Sequence, residues 1–157
     1  MKKTYYLAYG SNLNERQMKR RCPDATKVGT SFIDGYRLMF KGSKTGAYLT
    51  IEKAKGHKVP VGVWLVSGQD LASLDVYEGY PSFYYRKWVN VSFENKNATQ
   101  GKINALVYIM HEDRKLACPT KFYVDTCLEG YEDFGFDKRY LLEALKFSLE
   151  VKDEDKR

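Results

Sequence analysis

Apolar and polar positions follow two different spacings along the chain, one typical of strands and one typical of helices. Residues 4–8 are a short run of tyrosine and aliphatic side chains, which favours a β-strand. Residues 84–93 and 103–110 also carry strand signals, and apolar and polar side chains alternate in the first of these stretches. Residues 122–131 and 138–149 instead repeat apolar side chains three and four positions apart, as one face of a helix does.

The segment between residues 26 and 66 contains four short apolar runs punctuated by glycine, a pattern typical of a meander. The strands that it predicts lie at 28–33, 36–40, 47–51 and 59–66. Strands precede helices along most of the chain, and most connections are short enough for hairpins. The pattern therefore predicts an α+β fold built on a small, strongly curved or barrel-like sheet with surrounding helices.

Local signals mark two further helices. Asn14, with a glutamine three residues later, resembles a capping box, and Pro23 is placed to end this short helix. Ser67 has Asp70 three residues later, and Gly79 follows at the expected end of the second helix. The chain is thus predicted to open with a strand, a tight loop and a helix.

The length of 157 residues suits one domain with a buried core. We expect a single domain over residues 1–157, with the charged segment 152–157 as a frayed tail. No stretch approaches the roughly 20 apolar residues of a membrane helix, and the apolar run after Lys3 is too brief for a signal peptide. We therefore expect a cytoplasmic protein that does not bind a membrane.

The net charge of +6 arises in the first half of the chain. Residues 1–78 hold 13 Lys and Arg against 7 Asp and Glu, whereas residues 79–157 hold 13 of each. A basic surplus with many tyrosines suits a nucleic-acid-binding protein, but it also suits an enzyme with a small anionic substrate. The triplet Lys19, Arg20 and Arg21 fits one face of a short solvated helix, so we expect no nucleic-acid partner.

Cysteines and histidines give no sign of a disulfide framework or a metal centre. Cys22, Cys118 and Cys127 contain no C-x-x-C pair, and we expect them to be free, buried thiols. His57 and His111 belong to no metal-binding motif. We therefore predict no metal centre.

The first candidate site is the loop between the first strand and the first helix. Its residues are Tyr9, Gly10, Ser11, Asn12 and Leu13. A glycine-containing turn at such a junction directs several backbone N–H groups toward one point and can bind an anion. The alternative is that Ser11, Asn12 or Asn14 simply caps the helix.

The second candidate is Glu78, which lies on the same helix face as Leu71 and Leu74. It also lies in the last turn before Gly79, where the helix dipole disfavours an anion. A carboxyl group that is partly desolvated in a pocket has a raised pKa, which suits proton transfer near neutral pH. The alternative is a fraying last turn with Glu78 in water. We interpret Asp75 as a surface or capping acid.

These motifs resemble the γ-glutamylcyclotransferase-like (AIG2-like) family. The resemblance rests on the first loop, on the residues around Glu78 and on two later segments, and it spans nearly the whole chain. The matching residues read Y-G-S-N-L at 9–13, L-D-V-Y-E-G-Y-P at 74–81, Y-R at 85–86 and P-T-K-F-Y at 119–123.

The resemblance implies a small mixed, barrel-like sheet with one cavity and an enzyme that needs no cofactor. It implies that the loop Tyr9 to Leu13 holds the γ-glutamyl group and that Glu78 is the general acid and base. The family's pocket tyrosines map to Tyr85 and Tyr123, with Tyr84 as the alternative for the first. The implied reaction releases 5-oxoproline from a γ-glutamyl amino acid, peptide or amine by attack of the substrate's own α-amine. A non-catalytic protein that binds a small carboxylate is the alternative.

Overall fold

A computed structural model describes residues 2–43, 46–94 and 100–155, which contain six strands and four α-helices. The strands are β1 (Thr4–Ala8), β2 (Thr26–Ser43), β3 (Gly46–Val66), β4 (Tyr84–Glu94), β5 (Gln100–Met110) and β6 (Lys115–Leu116). The helices are α1 (Glu15–Arg21), α2 (Gly68–Glu78), α3 (Lys121–Phe134) and α4 (Arg139–Asp155). A single 3₁₀ turn, Ser11–Leu13, joins β1 to α1.

All six strands belong to one mixed sheet in the order β3-β1-β5-β4-β2-β6. β1 lies between an antiparallel and a parallel neighbour, with Tyr6 opposite Trp64 of β3 and Leu106 of β5. β3 also pairs with β2, near the opposite end of this order, so the sheet curls back on itself. The prediction of an α+β fold with a barrel-like mixed sheet is confirmed.

The prediction of four short strands between residues 26 and 66 is wrong, because β2 and β3 form one long antiparallel ribbon. Its pairing extends from Thr26 opposite Leu65 to Ser43 opposite Gly46. Register shifts between Lys27 and Gly29 and between Asp34 and Tyr36 interrupt the ladder without ending the strands. Gly35, with φ of 76°, supplies the left-handed backbone of the second irregularity. Gly35, which looked like a strand end, therefore lies at an irregularity within the continuous strand β2.

The predicted helix starts are confirmed where a side chain caps them. Asn14 accepts a hydrogen bond from the Gln17 N–H at 3.1 Å, and Ser67 and Asp70 form the expected capping box. α2 ends at Gly79, where φ is 64°. α4 continues to Asp155, so residues 152–155, predicted to fray, are helical, while 156–157 lie outside the described residues.

The hydrophobic core joins the central strands to the helices that cover them, through side chains such as Leu7, Val63, Leu106 and Tyr131. Cys22 and Cys127 are buried as expected, but Cys118 is exposed, because it lies in the irregular segment between β6 and α3. Over the described ranges, the helices are too short or too polar to span a membrane.

Candidate active site

A cavity of about 530 Å³ opens where the end of β1, the 3₁₀ turn, the last turn of α2 and the start of α3 meet. Tyrosine and phenylalanine side chains form nearly half of its lining. The predicted site residues among its lining are Tyr9, Gly10, Ser11, Asn12, Glu78 and Tyr123. The fold thus brings together segments that are far apart in the sequence.

Two predicted residues, Leu13 and Tyr85, do not line this cavity. The Leu13 side chain is fully buried, and its N–H donates to the Gly10 carbonyl at 3.0 Å, so that amide is not free to bind a substrate. The Tyr85 hydroxyl donates to Glu112 at 2.6 Å outside the cavity. Tyr84, the alternative, lines the wall in its place. Neighbouring residues of a strand point to opposite faces, so a shift of one position exchanges inside for outside.

The loop side chains of Ser11 and Asn12 do not cap α1, because Asn14 takes that role. The Ser11 hydroxyl lies 2.8 Å from the Tyr77 hydroxyl of α2. The buried Asn12 amide donates from Nδ2 to the Tyr6 hydroxyl at 2.8 Å and to Glu78 Oε1 at 3.4 Å. The loop and the last turn of α2 therefore face each other across hydrogen bonds.

Glu78 points into the cavity from the last residue of α2. The helix ends in an ordered cap, in which the Gly79 N–H donates to the Val76 carbonyl, so the alternative of a frayed turn does not hold. Burial raises the pKa of the Glu78 carboxyl from an ordinary value of 4.5 to about 8, and the Arg21 charge opposes this rise. The carboxyl is thus mostly protonated at pH 7 and about half ionised near pH 8.

Arg21 is a residue of the site that the sequence interpretation missed. Its guanidinium lies 3.3 Å above the centre of the Tyr77 ring and donates to Asn12 Oδ1 and, at 3.2 Å, to Gln17 Oε1. The rest of the basic triplet is exposed, as expected. These contacts attach the last turn of α1 to the loop that faces Glu78 and to the last turn of α2, which carries it. The i, i+4 spacing of Gln17 and Arg21 indicates their mutual contact but not the contacts of Arg21 with Asn12 and Tyr77.

Asp75 is also more than a surface acid. It accepts hydrogen bonds from Arg86 Nε at 3.0 Å, from Arg86 Nη2 and from the Tyr108 hydroxyl at 2.6 Å. These bonds join α2 to β4 and β5 one turn before Glu78. The position of the candidate acid is therefore tied to the sheet and does not depend on α2 alone.

We expect the Glu78→Gln variant to be more stable than wild type at alkaline pH. The folded protein holds the Glu78 proton up to a pKa of about 8, whereas the unfolded chain releases it near 4.5. The free energy of unfolding of wild type therefore falls as pH rises between these values. By pH 8 the variant should gain roughly 1–3 kcal/mol, which allows for the partial exposure of the side chain.

Thermal unfolding of both proteins between pH 4 and pH 9 measures this effect. The midpoint difference should widen by several degrees across the range, and other carboxyl groups cancel because both proteins share them. A midpoint difference that is the same at every pH would contradict the raised Glu78 pKa.

Within residues 2–43, 46–94 and 100–155, no group of three His, Cys, Asp or Glu side chains is arranged to hold a metal ion. The ionisable groups of the cavity wall are Glu78 and the hydroxyls of several tyrosines. The arrangement can therefore carry a proton between a half-buried carboxyl and a bound molecule.

Comparison with known proteins gives a consistent result. A family model described as gamma-glutamyl cyclotransferase, AIG2-like, matches residues 6–125. The chain is 33% identical over 144 residues to gamma-glutamylcyclotransferase of Homo sapiens, which covers 86% of this chain and 73% of the relative. It is 34% identical over 87 residues to the Bos taurus protein of the same name, which covers 51% of this chain and 46% of the relative.

A solved structure described as a gamma-glutamyl cyclotransferase has the same fold. Its TM-score is 0.75 at 25% sequence identity, over 91% of this chain and 86% of that one. The family match covers most of the chain and includes Asn12, Glu78 and Tyr123. The protein therefore belongs to the AIG2-like gamma-glutamyl cyclotransferase family, a family of enzymes.

Proposed function

We propose that this protein releases 5-oxoproline from a small γ-glutamyl compound, with Glu78 as the general acid and base. The observation that carries the proposal is the Glu78 carboxyl, whose pKa is raised to about 8, facing Asn12 of the loop across 3.4 Å in one cavity. The names of the human and bovine relatives support the same activity.

The reaction is an intramolecular acyl transfer. The α-amine of the γ-glutamyl group attacks its own γ-carbonyl carbon, a C–N bond closes the five-membered ring, and the original amide C–N bond breaks. Both reacting groups belong to one molecule, so a folded pose in the cavity supplies most of the required proximity. The enzyme must hold that pose and move one proton.

Glu78 is suited to that proton transfer. As a carboxylate it accepts the proton that the attacking nitrogen loses, and it then gives this proton to the departing nitrogen, so its own charge is restored. A pKa of about 8 leaves both forms populated near neutral pH, which favours a group that must act as base and then as acid.

The cavity walls suit a compact substrate. The hydroxyls of Tyr9 and Tyr84 donate to backbone carbonyls at 2.7 Å, so these side chains contribute ring surface to the wall. The Tyr123 hydroxyl accepts from the Leu49 N–H at 3.1 Å, and a Cβ on Gly10 would lie 3.2 Å from that hydroxyl. Glycine thus keeps this wall clear. We propose that Ser11 and Asn12 contact the γ-glutamyl group.

We expect purified protein to form 5-oxoproline from a γ-glutamyl compound, at a rate that rises with pH around 8 because the carboxylate form of Glu78 is the base. The assay quantifies 5-oxoproline from a γ-glutamyl amino acid, a γ-glutamyl tripeptide and a γ-glutamyl alkylamine between pH 6 and pH 9.

A lack of product from all three compounds would refute the proposal. Thermal stabilisation by these compounds without turnover would instead identify the protein as a non-catalytic carboxylate-binding member of the fold.

A further inference from the structure

Arg21 connects three parts of the site without lying on the cavity wall. It donates to Asn12 in the loop and to Gln17 one turn earlier in α1, and it stacks on Tyr77 in the last turn of α2. We propose that Arg21 is a positioning residue, which orients the Asn12 amide toward Glu78 and holds the end of α2 against the loop. This inference rests on the proposed function of Glu78.

The orientation of the Asn12 amide follows from the chemistry of its partners. A guanidinium only donates hydrogen bonds, so the amide oxygen must face Arg21 and the amide nitrogen must face the other way. That nitrogen then donates to Tyr6 and to Glu78 Oε1. Without Arg21 the amide is free to turn over and to present its oxygen to Glu78, which only the protonated carboxyl can match with a donor.

A second contact of Arg21 acts on the helix that carries Glu78. The guanidinium covers one face of the Tyr77 ring at 3.3 Å, and the hydroxyl of the same ring is bonded to Ser11. Tyr77 directly precedes Glu78 in α2. Removal of Arg21 therefore loosens both neighbours of the carboxyl, the amide across the gap and the helix turn behind it.

The ionisable groups around Glu78 show which of them carries a charge that acts on its carboxyl. The titratable groups that face Glu78 come from β1, the loop, α2, β4 and α3, and they are Tyr6, Tyr9, Tyr77, Tyr84 and Tyr123. Burial raises the pKa of each of these hydroxyls above its ordinary value near 10, so all of them are neutral at pH 8. Across the described residues, Arg21 is the charged group that acts on Glu78.

The test compares three variants with matched chemistry. Arg21→Gln removes both the charge and the planar guanidinium with its N–H donors. Arg21→Lys keeps the charge but loses the planar arrangement of donors. Arg20→Gln is the control, because it removes the same charge from the exposed neighbour on the same helix.

Two measurements are made on each variant. One is the titration of the Glu78 side-chain carboxyl, followed by carbon NMR in glutamate-labelled protein and assigned by the signal missing in Glu78→Gln. The other is the pH dependence of 5-oxoproline formation.

We expect Arg21→Gln to move the Glu78 titration and the acidic limb of the rate profile to higher pH together. Each pH unit of this shift lowers the ionised fraction at pH 7 by about tenfold. In Arg21→Lys the titration should stay within about half a pH unit of wild type while kcat falls, because the charge remains and the orientation is lost. Arg20→Gln should match wild type in both measurements.

An unchanged Glu78 titration and rate profile in Arg21→Gln would overturn the inference, and so would equal shifts in Arg20→Gln. If Arg21→Gln does not fold, wild-type kcat in Arg21→Lys would overturn it. If wild type forms no 5-oxoproline, the proposed function fails. Even then, the NMR titrations of Arg21→Gln and Arg20→Gln decide whether Arg21 acts on Glu78.

Discussion

Replacement of Glu78 by glutamine is expected to slow 5-oxoproline formation by at least about 100-fold, since general acid–base catalysis contributes about 10²–10⁴-fold. Glutamine keeps the size of the side chain and an oxygen that can still accept from Asn12 Nδ2, so the cavity should retain its shape. The loss should therefore fall on kcat, with KM changed only slightly. Initial rates with a saturating γ-glutamyl compound measure it.

A matched control is Glu112→Gln. Glu112 is an exposed carboxylate that accepts from Tyr85 outside the cavity, and its replacement should leave the rate at the wild-type level. Wild-type turnover by the folded Glu78→Gln variant would show that another group moves the proton, even if the cavity binds the substrate.

Replacement of Gly130 by alanine is expected to destabilise the protein by roughly 1–3 kcal/mol, although alanine is the better helix former. At this point α3 crosses the loop so closely that a Cβ would lie 2.7 Å from the Leu13 Cβ and 2.7 Å from the Asn14 nitrogen. Backbone atoms cannot give way as a flexible side chain does. The loop must therefore move, and because Asn12 belongs to the same turn, activity should fall as well.

The comparison for this variant is Gly68→Ala at the start of α2, where a Cβ would meet nothing within 4 Å. That change should be neutral or stabilise the protein by up to about 1 kcal/mol through helix propensity. Urea unfolding of both variants measures the two free energies. Equal stabilisation by both changes would show that the contact between α3 and the loop is looser than described.

Local chemistry made some of the structure predictable. The limits of α2 follow from a capping serine at one end and a glycine at the other. Both residues adjoin the helix in the sequence, so they can be recognised without the fold. The helical spacing that buries Leu74 also directed Glu78 inward. The ribbon of β2 and β3 was misjudged because a glycine that ends a strand and a glycine that bends one look the same until the partner strand is known.

The remaining errors at the site have the same origin. The choice between Tyr84 and Tyr85 depends on which face of β4 meets the cavity, and only pairing with β5 decides that. Arg21 was assigned to solvent because periodicity along α1 does not show that Asn12 and Tyr77 lie within reach. Contacts between distant segments are set by tertiary packing, and one chain without its fold carries little sign of them.

The place of β1 in the sheet has a consequence for how the site assembles. Tyr6 leads into the loop that faces Glu78, yet its parallel partner on β5 is Leu106, far later in the chain. Pairing across such a sequence separation forms slowly, because the chain must lose the conformational entropy of closing a long loop before the stabilising contacts form. During synthesis, β1 emerges long before β5 has been made. The cavity is therefore expected to become competent only after β5 has joined the sheet, with catalysis among the last properties that the folding chain acquires.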